Sequence, residues 1–264
     1  KESHMLKIAS WNVNSLNVRL PHVLAWTAEA QPDILALQET KLTDDRFPVD
    51  ELVEAGYHSA YSGQPTYNGV AILSKEPGRD MVTDIPGLED PQRRILALTV
   101  PTALGDVRVV DLYVVNGSEV GSEKFEYKLD WLRKVTAWLQ QEAQQHERLV
   151  VLGDFNIAPD DRDVHDPEAW RDKILCSQPE RAALGEIYSL GLVDTFRLFD
   201  QEERVFSWWD YRMNAFRRKL GLRIDLLLAS KAMVDRCKAS YVDIEPRRQE
   251  RPSDLAPVVA EFSV

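Results

Sequence analysis

The chain is a succession of short apolar runs, each stopped by polar or turn-forming residues. Leu6–Trp11 reads as a buried strand ending at Asn12, and Asp33–Gln38 as a second strand ending at Glu39. Gly69–Leu73, Ile95–Val100 and Val107–Val115 follow as strands. Leu149–Leu152 halts at Gly153-Asp154, and Arg223–Leu228 and Val258–Phe262 close the series. Between them, Val18–Ala30 has helical spacing, and Lys124–Gln145 sets Trp131, Leu132, Val135 and Leu139 on one apolar face. Near-continuous apolar strands suit sheets covered on both faces. The helices do not alternate strictly with the strands, so the expected fold is a mixed α/β sandwich of two packed sheets with helices outside. No repeat, low-complexity tract or Gly/Ser-rich linker divides the sequence. Residues 5–264 are expected to form a single domain, with Lys1–His4 an expression remnant ahead of Met5.

Composition adds little to this picture but narrows the chemistry. Hydrophobic residues make up 44% of the 264 positions, enough for a sizeable core. No apolar run approaches a membrane span, and the opening residues do not resemble a signal peptide. The two cysteines, Cys176 and Cys237, lie in no metal or redox spacing; they are expected to pack as free thiols in a reducing cytoplasm. A net charge of −11 argues against generic, charge-driven affinity for nucleic acid. It leaves room for a nucleic-acid enzyme, which needs only a local basic stripe and a metal.

The chemistry lies where the strands stop. Asn12 and Asn14 follow the first strand, Glu39 the second, Asp154 and Asn156 a late one; Asp225 sits in another, and Asp254 precedes the last. Active sites gather where loops leave a rigid sheet. Taken singly, each has a bland reading: a solvated loop glutamate, a Gly-Asp-Phe-Asn turn, a Ser-Asp helix cap. Five such stops in one chain favour a common pocket. Carboxylate and amide oxygens suit Mg²⁺ or Mn²⁺ better than zinc, for want of a His/Cys cluster. A hard cation of this kind commonly handles phosphates.

In order along the chain, Ile8–Asn14, Leu37–Lys41, Asn68–Ala71, Gln92–Arg94, Gly153–Pro159, Gly191–Arg197, Phe206–Arg212, Leu222–Asp225 and Arg251–Asp254 resemble the exonuclease III and apurinic/apyrimidinic (AP) endonuclease branch of the endonuclease/exonuclease/phosphatase superfamily. The resemblance runs from about Met5 to Phe262. It implies a four-layer α/β/β/α sandwich and a metal-dependent phosphodiesterase acting on duplex DNA at abasic sites or 3′ ends, usually as a monomer. It implies Glu39 as principal metal carboxylate, helped by Asn12 and Asp254, and Asp154 orienting or deprotonating the attacking water. Asn156 would hold a phosphate oxygen, Tyr113 would donate to a phosphate oxygen or assist the leaving group, and Asn116 would be a polar phosphate contact. The family's last motif reads Ser-Asp-His-X-Pro; here it is Ser253-Asp254-Leu255-Ala256-Pro257. Leu255 thus stands where the resemblance places a histidine on the scissile phosphate, paired with Asp225. Leucine carries neither proton nor donor, so strong impairment as a nuclease is expected. Among the other histidines, only His165, in the loop after Asp154, is placed to substitute, and its ordinary reading is a surface loop residue.

DNA is expected to lie on Phe206–Arg223, where Trp208, Trp209 and Tyr211 interleave with Arg212, Arg217 and Arg218, and Leu222 follows. One tryptophan should be buried and the other near the sugar pocket. Arg93, Arg94, Arg247, Arg248 and Arg251 are expected to extend the basic face, and the loop Asp160–Cys176 to set substrate choice. Two competing readings are a non-catalytic nucleic-acid-binding relative using the same groove and, more weakly, a phosphatase acting on lipid or sugar phosphates, against which the Trp/Arg-rich segment argues.

Overall fold

A computed structural model describes residues 4–264; Lys1–Ser3 of the expected expression remnant lie outside the described residues. In chain order the strands are β1 (Met5–Asn12), β2 (Ile34–Gln38), β3 (His58–Ser62), β4 (Val70–Ser74), β5 (Arg79–Val82), β6 (Ile95–Thr102), β7 (Gly105–Tyr113), β8 (Leu149–Asp154), β9 (Val193–Asp194), β10 (Trp208–Trp209), β11 (Gly221–Leu222), β12 (Asp225–Ala229), β13 (Cys237–Val242) and β14 (Val258–Ser263). The helices are α1 (Leu16–Ala30), α2 (Val49–Glu54), α3 (Glu123–Gln145), α4 (Gln178–Tyr188) and α5 (Lys231–Val234). Every strand and helix expected from the apolar pattern is present. The run expected as one strand, Arg223–Leu228, is strand only from Asp225 onward, as β12, because Arg223 is drawn aside into an ion-pair network with Asp163 and Asp194. No helix among the described residues is long and apolar enough to cross a membrane.

Two six-stranded sheets form, in the orders β13-β14-β1-β2-β4-β3 and β5-β6-β7-β8-β12-β9. Only β1–β2 and β7–β8 pair in parallel, each pair spanned by a helical crossover, α1 and α3 respectively. The two sheets pack face to face through Ile8, Ile34, Val70 and Ile72 on one side and Leu98, Val109, Val150, Leu152 and Leu227 on the other. The outer face of the first sheet, including Ala9, Trp11, Leu35 and Leu37, is covered by Val23 and Trp26 of α1 and Leu52 of α2. The outer face of the second, including Val110, Leu149 and Val151, is covered by Trp131, Leu132, Val135 and Leu139 of α3 and Leu184 and Ile187 of α4. This is the four-layer α/β/β/α sandwich, and it explains the unbroken apolar runs: alternate residues of one strand serve two different cores.

A polar cluster crosses the inter-sheet layer. Gln38 Nε2 donates to Ser10 Oγ at 3.0 Å and across the layer to Asp111 Oδ1 at 2.8 Å, all three residues being buried. Gln38 Oε1 and Asp111 Oδ2 have no partner, and burial pushes the Asp111 carboxyl well above its ordinary range. A raised folded-state pKa means that the folded chain keeps a proton the unfolded chain has released. Stability therefore falls as pH rises above about 4, the unfolded value. Asp111→Asn removes the need to hold that proton and supplies an N–H for Gln38 Oε1. It is expected to stabilise the fold at pH 7 by about 1–3 kcal/mol, a gain that vanishes below about pH 4. Thermal melts of both forms across that range check it.

Candidate active site

The site is the polar end of the inter-sheet layer. Side chains facing that layer recur every second residue, and along each strand they pass from apolar to polar: Ile8, Ser10, Asn12 on β1; Val150, Leu152, Asp154 on β8; Ala229, Leu227, Asp225 on β12. The registers align those ends. Asp154 pairs with Asp225 on one side and Tyr113 on the other, and Asn12 pairs with Gln38, the residue before Glu39. Gly153 sits at φ +141° with its missing Cβ 1.9 Å from Leu112 O, so any side chain there would push β8 off β7 and move Asp154.

The loops are held as firmly as the strands. Glu39 has left-handed backbone, φ 54°, a conformation that costs a non-glycine residue about 1–3 kcal/mol and persists only when its surroundings impose it. Here they do: Glu39 O accepts from Ser15 N at 2.8 Å, and the next two residues bond to the Asn68-Gly69 turn. Asn156, at φ 48°, donates its N–H to Asp154 Oδ1 at 3.0 Å and one side-chain N–H to Val114 O at 2.8 Å. Asn12 Nδ2 donates to Glu39 Oε2 at 2.6 Å and to Asp154 Oδ2 at 2.9 Å, joining the two sheets. Asp254 accepts from Trp208 Nε1 at 3.1 Å and from Asn14 Nδ2 at 3.3 Å.

Carboxylates dominate the electrostatics. Burial, then the Glu39 charge, pushes Asp154 up to about 7. Burial and Asp154 hold Asp225 well above the ordinary range, and burial with Glu39 raises Asp254. Tyr113 is raised too, first by burial and then by Glu39 and Asp154. Neither carboxylate oxygen of Asp225 has a hydrogen-bond partner, although the residue is buried. Crowded acids with an orphaned carboxylate are a donor set that fits a hard divalent cation. Glu39 and Asp254 are the half-buried, still reachable members, whereas Asp154 and Asp225 are buried. Among the described residues no three Asp, Glu, His or Cys side chains close on one point. Mg²⁺ commonly takes one or two carboxylates and completes its shell with water and phosphate, so such a set still suits it.

Leu255 is buried in an apolar cluster with Ala158, Val164, Leu175, Cys176, Leu222 and Ile224, against half-buried Trp208. Its backbone is fixed from three sides: N–H to Ser253 Oγ at 3.2 Å, carbonyl from Trp11 Nε1 at 3.3 Å, and a bridge to Trp208. His165 is tied away by Nδ1 to Gly221 O at 3.0 Å, and its ring lies edge-on to Trp170.

The residues expected to meet DNA divide by depth. Arg212, Arg217, Arg218 and Tyr211 are exposed, as is Asn116, whereas Leu222 is fully buried in the apolar cluster that holds Leu255. Trp209 is buried with Phe206 and edge-on to Phe216, while Trp208 keeps exposure beside Asp254. Arg93 is half-buried and pairs with Asp84. Arg94 is also withdrawn: its guanidinium lies 4.6 Å over the Tyr113 ring and donates to Tyr113 O at 3.2 Å. Arg247, expected on a basic face, is instead buried, 5.4 Å from the Tyr211 ring and 5.0 Å from the Phe216 ring, because its stem and flat head pack on aromatics. Arg248 and Arg251 are exposed. Asn14, noted in the sequence as a strand-end amide but given no role there, has a left-handed backbone that sets its amide on Asp254.

Residues 9–254 match the Endonuclease/Exonuclease/phosphatase family. Exodeoxyribonuclease III of Haemophilus influenzae is 34% identical over 267 residues, covering 97% of this chain and all, 100%, of its own length. The structure of the 3′ phosphatase NExo from Neisseria, bound to product DNA hairpin, superposes with a TM-score of 0.95 at 49% identity, over 98% of this chain and 100% of that one. An AP endonuclease from Archaeoglobus fulgidus does so at 0.93 and 37%, over 98% and 100% respectively. With the family matched over most of its length and these structures superposing on its four layers, the chain belongs to the endonuclease/exonuclease/phosphatase family, in its exonuclease III and AP endonuclease branch.

Proposed function

We propose that this chain is a DNA-repair phosphodiesterase dependent on Mg²⁺, with Mn²⁺ as a substitute, acting on duplex DNA at abasic sites or 3′ ends, and strongly impaired by Leu255. The observation that carries this reading is the convergence of Asn12, Glu39, Tyr113, Asp154, Asn156, Asp225 and Asp254 at one end of the two sheets, with Asn12 bonded to both Glu39 and Asp154. Relatives named for exodeoxyribonuclease III and for a complex with a DNA hairpin support the substrate class. Two free thiols support a reducing, cytoplasmic setting, and a monomer is the working state.

The reaction is an in-line displacement at phosphorus. Asp154, its carboxylate fixed by Asn12 and the Asn156 N–H, takes the proton of the attacking water. Tyr113 and the second side-chain N–H of Asn156 donate to the non-bridging oxygens, where charge grows. Glu39, with Asn12 and Asp254, would hold the metal, which when bound polarises the phosphoryl group and neutralises charge on the leaving oxygen. Trp208 and exposed Tyr211, Arg212, Arg217 and Arg218 offer sugar and phosphate contacts beside the site.

The test is residual turnover. With enzyme in excess over an abasic or 3′-recessed duplex, slow cleavage that EDTA stops supports the reading. Binding without cleavage favours a non-catalytic, DNA-binding relative, a reading that the sealed apolar seat of Leu255 and the unpartnered Asp225 also favour. Glu39→Gln is expected to weaken Mg²⁺ binding, read by calorimetry, at least about tenfold, since it removes one of only two reachable carboxylates. An unchanged affinity would sink the assignment of Glu39.

A further inference from the structure

Lys128 lies on the apolar face of α3, three residues after Phe125, and is fully buried. Its Nζ donates to the backbone carbonyls of Asn116 at 3.0 Å and Asn156 at 2.6 Å, and pairs with the buried carboxylate of Glu180 on α4. Glu180 accepts in turn from Leu175 N at 3.0 Å, Ser177 N at 3.3 Å and Ser177 Oγ at 2.7 Å. The backbone after Asn116 is moulded to the lysine stem: a Cβ on Gly117, where φ is +90°, would lie 2.9 Å from Lys128 Cδ.

A buried ion pair is a poor device for stability alone, because desolvation commonly offsets the attraction and an apolar pair would join α3 to α4 as well. What an apolar pair lacks is three N–H donors. Two of them meet carbonyls of the two segments that leave β7 and β8, so both segments are held within reach of one nitrogen. The third meets Glu180, which neutralises the charge and also holds the backbone N–H of Leu175, a member of the cluster around Leu255.

We infer that Lys128, held by Glu180, is a positioning residue that fixes the Asn116 and Asn156 segments relative to each other, and so the places of their amides at the phosphate. The role assigned to those amides rests on the nuclease reading; the tether does not. Hydrogen exchange therefore tests it in the chain as it stands. In Lys128→Met/Glu180→Gln, which leaves no buried charge, the Asn156 amide bonded to Asp154 Oδ1 is expected to exchange about tenfold faster or more, with Leu132 and Val151 unchanged. In the Leu255→His background, kcat is expected to fall roughly 10- to 100-fold with KM within about threefold, since misplacement by about 1 Å has that effect. Unchanged Asn156 exchange, or unchanged kcat, in the folded double variant overturns the inference. Should the double variant not fold, Glu180→Gln alone must show the same pattern in weaker form, and its absence is equally decisive against it. If Leu255→His itself does not cleave, the nuclease reading fails, and the exchange result still decides the role of Lys128.

Discussion

Replacing Leu255 with histidine is expected to raise Mg²⁺-dependent cleavage of an abasic or 3′-recessed duplex by roughly 10²–10⁴-fold, the range spanned by one positioned donor and one general acid or base. The scaffold for the imidazole is already built. Ser253, Trp11 and Trp208 fix the backbone at 255, so a new side chain leaves from a determined Cα. Asp225, buried and unpartnered, lacks the hydrogen-bond donor that a ring N–H would provide. Providing it relieves a desolvated carboxylate while fixing the ring, and this coupling gives the change its expected size. Single-turnover rates of the two forms at saturating enzyme separate chemistry from binding. A restored chain that binds the duplex as before and cleaves no faster would transfer the protein to the non-catalytic reading.

Within the restored chain, Asp154→Asn is expected to lower kcat by about 10²–10⁴-fold and leave DNA affinity equal or higher. The reasoning is local. Both oxygens of Asp154 accept hydrogen bonds, Oδ2 from Asn12 and Oδ1 from the Asn156 N–H, so the group is aimed and cannot swing aside. An amide presents an NH₂ to one of those donors and has no charge with which to take a proton from water. Affinity should hold because the substitution removes a negative charge from a site already crowded with Glu39, Asp225 and Asp254. Paired measurement of kcat and of the dissociation constant checks both halves. A loss confined to affinity would reassign Asp154 to substrate binding.

The sequence by itself determined the two covered sheets and the strand ends where the candidate site lies. Unbroken apolar strands such as Val150–Leu152 required two covered faces, and the alternation Ile8, Ser10, Asn12 already carries the change from core to site along one face. These features are legible because strand periodicity is local: it depends on neighbours two residues away. The helix Gln178–Tyr188 was missed although its signal was also local, a capping box from Ser177 to Glu180 with Pro179 in the first turn. The rest depends on partners far away in the chain. That Lys128 is an internal tether, that Arg247 and Leu222 are buried, and that Arg94 is folded onto Tyr113 follow from contacts 12 to 52 residues or more apart. Composition cannot tell such residues from solvated cations or surface leucines. Position 255 shows the division most plainly. The sequence showed that a histidine was absent from the motif, whereas only the packed structure decided what that absence leaves: a leucine buried in an apolar cluster and a buried carboxylate without a donor. Whether a buried group is satisfied depends on every element that closes around it, and that closure exists only once both sheets have met.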